Sequence, residues 1–171
     1  MLLNEDGKET ARHREFFMPE HDFTKRATEI NGLTLERLKE KGAKKFTKAA
    51  SERLVNFLIR HRDYHIVCHS AKYDKDKVLK PAFKKVDNMD CFPPDERWRC
   101  TLVMANQVPN LMWVTLDDLL GHFGFDRGEE GEPHEALEDA QCAAKVYLKL
   151  LEMPEMKKSG LGFKWKWMAD E

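Results

Sequence analysis

The stretch from Ala136 to Leu151 pairs a core stripe at helical spacing with a carboxylate that is off its charged face, and that pattern narrows what this chain can be. At 3.6 residues per turn each residue advances about 100°. Measured from Glu138, the side chains of Gln141, Lys145, Lys149 and Glu152 fall within about 60° of one line, which is the solvent face. Leu137, Ala140, Ala144, Leu148 and Leu151 form an apolar stripe at helical spacing, the expected core contact. Asp139 stands about 100° off the polar line, among Ala136, Cys142, Ala143 and Val146. Such a helix must lie against a sheet or other helices. A carboxylate on its apolar flank is costly unless paired, hydrogen-bonded or bound to a cation.

His134 follows Pro133 and the acidic loop Gly128-Glu129-Glu130-Gly131-Glu132, which places it at or just before the helix start. The helix dipole there favours neutral imidazole, the form a general base needs, while Glu135 and Glu138 push the other way. Two readings stand side by side. His134 and Asp139 form a base-and-carboxylate pair suited to metal-assisted proton chemistry, or His134 is a capping histidine and Asp139 a helix-side salt-bridge partner.

Strands and helices alternate along the rest of the chain, the pattern of an α/β or α+β sheet domain. Met1-Leu2-Leu3, the Asp6-Gly7 turn and an extended run ending at Phe16-Phe17-Met18 predict a β-hairpin. An amphipathic segment over Asp22 to Ile30, a break at Asn31-Gly32 and a short helix over Leu33 to Leu38 follow. A longer helix is expected over about Thr47 to His61, with Ala50, Leu54, Phe57 and Leu58 at helical spacing. Tyr64-His65-Ile66-Val67-Cys68 reads as a buried strand, and a helix from near Ser70 is interrupted by Pro81. After a loop over Asp87 to Arg97, Trp98 to Leu102 reads as another strand. Thr115 is the expected N-cap of a short helix reaching Phe123. Residues 1–152 read as one domain and residues 153–171 as a basic-aromatic tail. In that tail Phe163-Lys164-Trp165-Lys166-Trp167 suits either base stacking and phosphate neutralisation or a terminal strand that packs its aromatics on the core.

Composition excludes several classes. A chain of 171 residues with 42% hydrophobic and 35% charged residues has room for one sizeable core. A formal net charge of −1 rules out a broadly basic coat, so nucleic-acid binding needs a local patch. Lys72, Lys75, Lys77, Lys80, Lys84 and Lys85 offer one, although such a run also describes a solvated helix face. Cys68, Cys91, Cys100 and Cys142 lack zinc-ligand spacing and are expected as reduced thiols of an intracellular, cytoplasmic protein. No stretch is long and apolar enough for a signal peptide or a membrane span.

Immediately after the apolar strand comes His69-Ser70-Ala71-Lys72-Tyr73-Asp74, which puts a carboxylate near the crevice where open α/β sheets bind ligands. Taken in order, these segments resemble the DEDDh family of 3′–5′ exonucleases, which includes the proofreading subunit of bacterial replicative polymerases, RNase T and oligoribonuclease. His134 to Asp139 resembles that family's last motif, a histidine, four residues and an aspartate. His69 to Asp74 resembles its second motif, usually His-Asn-x-x-Phe-Asp, with Ser70 and Tyr73 in place of the asparagine and phenylalanine. Thr28 to Thr34 is similar to the segment, usually His-Gly-Ile-Thr, that contacts the terminal nucleotide, and Thr115 to Gly124 resembles the short Leu-Asp-x-Leu helix before the catalytic histidine.

The resemblance implies a ribonuclease H-like mixed sheet flanked by helices, and two-metal hydrolysis at the 3′ end of single-stranded DNA or RNA. It makes Asp74 and Asp139 ligands of two Mg²⁺ or Mn²⁺ ions about 4 Å apart, and His134 the base that takes a proton from the attacking water. It assigns Asn31, Gly32, Leu33, Ser70 and Tyr73 to substrate binding. A polymerase or a second copy of the chain is the partner it suggests. The family's first motif, Asp-x-Glu on the first and central strand, is absent from this sequence. Residues Met1 to Met18 match the two strands that follow it. Two carboxylates are too few for two ions, and a missing central strand leaves backbone groups that need a replacement strand. Two expectations follow: a truncated exonuclease, favoured by the presence of both His134 and Asp139, or a non-catalytic nucleic-acid-binding or interaction module on the same fold.

Overall fold

A computed structural model describes residues 1–4, 7–20, 25, 28, 29, 32–112, 114–127 and 136–158. His134, Asn31, the loop from Gly128 to Pro133 and the Phe163 to Trp167 alternation lie outside the described residues. The described chain is a mixture of helices and short strands, the α/β class expected.

Strands β1 (Leu2–Leu3) and β2 (Glu9–Ala11) pair antiparallel, with Leu2 opposite Ala11 and Leu3 opposite Glu9. The turn is closed by Asn4, whose carbonyl accepts from Gly7 N at 3.0 Å and whose side-chain oxygen accepts from Lys8 N at 2.8 Å. Gly7 has a φ of +74°, and a Cβ there would stand 3.1 Å from the Leu148 side chain, so both conformation and space call for glycine. The second strand is shorter than its sequence predicts. It stops at Ala11; further on, Glu15 bonds Arg53 at 2.8 and 2.6 Å, and Phe17 makes one parallel bridge, with Lys44.

Helices α1 (Leu35–Glu40) and α2 (Lys48–Arg60) begin after Thr34 and Thr47, whose hydroxyls accept from Arg37 N and Ala50 N. Strand β3 (Ile66–Cys68) pairs in parallel with β4 (Trp98–Cys100), Ile66 beside Trp98 and Cys68 beside Cys100. The predicted strand from Trp98 ends two residues early. Thr101 turns the chain into α4 (Thr101–Ala105), its buried hydroxyl 3.0 Å from His69 Nδ1, while Leu102 N donates to the His69 carbonyl.

Pro81 does not interrupt the helix after β3; it changes its winding. Lys72–Leu79 is π-helical and continues directly into α3 (Lys80–Lys85), with Lys80 N donating to the Lys75 carbonyl. A proline lacks the N–H for the usual bond, and its ring clashes with the carbonyl four residues back; the wider turn ahead of it relieves both. On this segment Lys75 and Lys80 pair with Asp76 and Asp95, and Lys85 pairs with Glu20. The lysine run is to that extent a solvated, ion-paired face.

Helix α5 (Leu116–His122) starts in a complete capping box: Asp118 N donates to the Thr115 hydroxyl, and Thr115 N donates to Asp118 at 2.8 Å. Helix α6 (Ala136–Glu152) carries the core, and α7 (Pro154–Lys158) folds back so that Met156 is fully buried beside it. The buried face of α6 is Cys142, Ala143, Val146, Tyr147 and Leu150, packed against Met104, Ala105, Leu116, Leu119 and Leu120. This corrects the predicted stripe. Leu137, Ala144, Leu148 and Leu151 are only half-buried and Ala140 is exposed, because α4 and α5 cover the flank on which Asp139 stands. Sheet order among the described residues is two separate pairs, β1 with β2 and β3 with β4.

Candidate active site

The buried stripe of α6 runs Leu150, Val146, Ala143, and one turn further toward the helix start the same line reaches Asp139. There the core ends and a pocket of 550 Å³ opens. Asp139 therefore faces the interior side of the helix at the point where the interior becomes a cleft. Strand β3 delivers Val67, Cys68 and His69 to the same place at its C-terminal end, and the first turn after it adds Ser70 and Asp74. The backbone amides of Tyr73 and Asp74 both donate to the Ser70 carbonyl, at 2.8 and 3.1 Å, which holds that turn. The start of α5 contributes Thr115 and Asp117, and the connection to α6 contributes Arg127.

The electrostatics are those of acids in a partly dry cleft. Burial raises the Asp74 carboxyl above its ordinary range, and the charge of Asp139 adds to the rise; the Cys68 thiol and His69 work against it. Burial also pushes the Cys68 thiol up to about 12, with Asp74 reinforcing the shift, so Cys68 is a protonated hydrogen-bond donor. His69 is lowered chiefly by burial, opposed by a backbone bond to Val114 and by Asp74, Asp117 and Asp139. Arg127 donates to Asp117 at 2.5 Å and to Asp139 at 2.6 Å. Burial alone would lower its guanidinium, but the two carboxylates outweigh it and raise it.

Of the residues the sequence singles out, the fold brings Asp74, Asp139 and Ser70 to one pocket. Leu33 lines a neighbouring cleft of 330 Å³, which shares Ala136 and Ala140 with this one. Gly32, in a left-handed turn with φ of +63°, receives a bond from Arg37 on its carbonyl at 2.9 Å. Tyr73 is exposed and is absent from the residues lining the pocket. His134 and Asn31 lie outside the described residues. Sequence reasoning missed Arg127, Asp117 and the structural part of His69. The one available signal was Arg127 itself, a lone base just ahead of the acidic run Glu129-Glu130.

A pair of divalent ions does not fit the ligands in hand. Asp139 is already neutralised by Arg127, and among the described residues no three histidine, cysteine or acidic side chains stand where they could hold a metal ion. Among the described residues, too, no helix is long and apolar enough to cross a membrane.

Comparison with known proteins agrees with the geometry. The chain is 29% identical over 157 residues to the PolC-type DNA polymerase III of Thermotoga petrophila, covering 92% of this chain and 10% of that protein. It is 30% identical over 155 residues to the PolC-type DNA polymerase III of Thermotoga maritima, covering 91% and 10% respectively. The chain thus spans about a tenth of the length of the curated relatives it matches. No solved structure matches it. The sequence family described as Exonuclease (RNase_T) matches over residues 2–147, nearly the whole described fold and every element that lines the pocket. With that match, the ordered motifs and the convergence of Asp74 and Asp139, the chain belongs to the DEDDh 3′–5′ exonuclease family, a family of nucleases.

Proposed function

We propose that this chain is the 3′-end-binding part of an exonuclease site whose metal-binding set is completed by carboxylates that this sequence lacks. The observation that carries the reading is that Asp74 and Asp139, more than a third of the chain apart in sequence, meet in one pocket at the C-terminal end of β3. The substrate is the 3′ end of single-stranded DNA or RNA. Ser70 and Tyr73, close to Asp74 in sequence, and Asn31, Gly32 and Leu33 are its binding residues, with Leu33 lining the neighbouring cleft. In a site completed by further carboxylates, Asp74 and Asp139 would be metal ligands and His134 the general base, and Mg²⁺ or Mn²⁺ would supply Lewis-acid chemistry there. A polymerase is the proposed partner, since the relatives are PolC-type DNA polymerases.

The alternative, a non-catalytic nucleic-acid-binding module, is favoured by one observation, the Arg127 guanidinium already seated on Asp139. A single assay separates the two. With Mg²⁺ or Mn²⁺, a polypeptide extended upstream to include an Asp-x-Glu strand should shorten 5′-labelled single strands from the 3′ end. The 171-residue chain should bind the same strands but cut them slower by about 10³-fold or more. Shortening that survived both EDTA and Asp139→Ala would rule out the metal-dependent site. An extended protein that bound and did not cut would leave the binding module standing.

A further inference from the structure

Lys75, Lys80 and Lys85 of the lysine run are already ion-paired, and the fold gathers a second set of cations in a different place. A cleft of 580 Å³ between the segment after β2 and the start of α2 is lined by Arg14, Lys41, Lys44, Lys45 and Arg53, with Glu15 as the only carboxylate among the described residues that line it. Five cations against one anion stand out on a chain whose formal net charge is −1. Glu15 is committed to Arg53 at 2.8 and 2.6 Å, so the remaining four charges set the sign of the cleft.

The cations are mounted on a fixed frame. Lys41, Lys44 and Lys45 belong to the connection between α1 and α2, which leaves α1 through a left-handed Gly42 with φ of +71°. Gly42 N donates to the Lys39 carbonyl and Ala43 N to the Leu38 carbonyl, both at 2.9 Å, the double bond pattern that closes a helix end. The connection is then tied to the segment after β2, since Lys44 N donates to the Phe16 carbonyl at 3.0 Å and Met18 N to the Lys44 carbonyl at 2.9 Å. The Phe16 ring centre lies 4.8 Å from the Arg14 guanidinium carbon and 5.2 Å from Lys41 Nζ, so one aromatic orders two of the charges. Thr47, the N-cap of α2, also lines the cleft and adds the positive end of a 13-residue helix.

Arg14, Phe16 and Lys41 are at the same time walls of the apolar cleft of 330 Å³, which shares Ala136 and Ala140 with the pocket of Asp74 and Asp139. The three spaces form one path, with carboxylates at one end, apolar walls in the middle and cations at the other. A single nucleic-acid strand offers bases to the apolar walls and phosphates to the cations. We propose that the basic cleft holds the phosphodiester backbone of a single strand upstream of the 3′ end seated at Asp74 and Asp139, with Lys44 and Lys45 as phosphate contacts. The placement of the 3′ end rests on the function proposed above; the charge of the cleft does not.

Fluorescence anisotropy of the full chain with 5′-labelled oligothymidylates of about 3 and about 12 nucleotides tests this. The longer strand should bind more tightly. Lys44→Ala with Lys45→Ala should weaken it by about tenfold and make the slope of log affinity against log salt shallower by roughly 1.4, at about 0.7 for each lost contact, while leaving the shorter strand unchanged. Both side chains are exposed, which keeps core packing out of the comparison. Lys77→Ala with Lys84→Ala removes the same charge from the lysine run and should change neither strand. Equal weakening by the two double variants overturns the proposal, as does a Lys44 and Lys45 variant that binds the longer strand like the parent. Polyglutamate of equal charge competing as well as unlabelled strand would assign the cleft to an acidic polypeptide and overturn it too. Tight binding of the shorter strand with no gain for the longer one would sink the cleft and keep the 3′-end reading. Circular single strands bound as tightly as linear ones, and through Lys44 and Lys45, would support the cleft and remove that reading.

Discussion

Arg127 gives Asp139 and Asp117 a shared counter-charge, through bonds of 2.6 Å to Asp139 and 2.5 Å to Asp117. A divalent ion bound at Asp139 has to displace that guanidinium. Arg127→Gln should therefore tighten Mn²⁺ binding by roughly tenfold, measured by titration of the free-ion EPR signal, while costing less than about 1 kcal/mol of stability because the pair is partly exposed. Unchanged or weaker binding would remove Asp139 from the cation site. A second residue sets a pH dependence. Burial, with Arg99 and Arg97 nearby, lowers His65 from 6.5 to about 4. The unfolded chain thus takes up this proton at a higher pH than the folded one. The stabilisation is fully present above pH 6.5 and is lost as pH falls toward 4. Thermal melts between pH 7 and 4.5 should lose less stability in His65→Gln than in the parent; equal losses would place the titration elsewhere. In sequence, Asp74 and Asp139 stood out because ordered motifs framed them. Arg127 did not, since a single arginine ahead of an acidic run is a weak signal until its partners Asp117 and Asp139 are brought beside it.

At the scale of elements, α6 separates what periodicity can tell from what it cannot. Its polar line was legible, because charges at helical spacing have one meaning. Its core face was not, because Ala140, Ala144 and Leu148 on one side and Ala143, Val146 and Leu150 on the other are equally apolar, and the choice between them was made by α4 and α5. Truncation tests that assignment. Leu150→Ala should cost about 2–5 kcal/mol and Leu137→Ala under about 1 kcal/mol, read from urea midpoints at unchanged slope. The reverse order would restore the predicted stripe. Thr115 was legible as a cap because its bond is local, and the hydrogen-bonded box with Asp118 bears it out. Pro81 was expected to interrupt the helix; it stands instead in the first turn of α3, with π-helical winding ahead of it, an outcome local propensity does not specify.

For the molecule as a whole, alternating strand and helix signals and four ordered motifs were enough to reach the α/β class and the exonuclease family. Sheet extent was not legible, since strand pairing depends on residues distant in sequence, and the two described pairs are shorter than their segments predict. The pocket sits at the end of the more distant of those pairs. The hairpin of β1 and β2 closes a short turn, whereas β3 meets β4 only after an intervening stretch of about 30 residues has been ordered, with a loop-closure cost that grows as the logarithm of its length. Contact order predicts that the local helices and the hairpin form before the parallel pair. Cys68, His69, Asp74 and Asp139 are thus assembled only by the last long-range contacts. A nascent or partly unfolded chain carries no such pocket, and ligand affinity becomes a readout of completed folding.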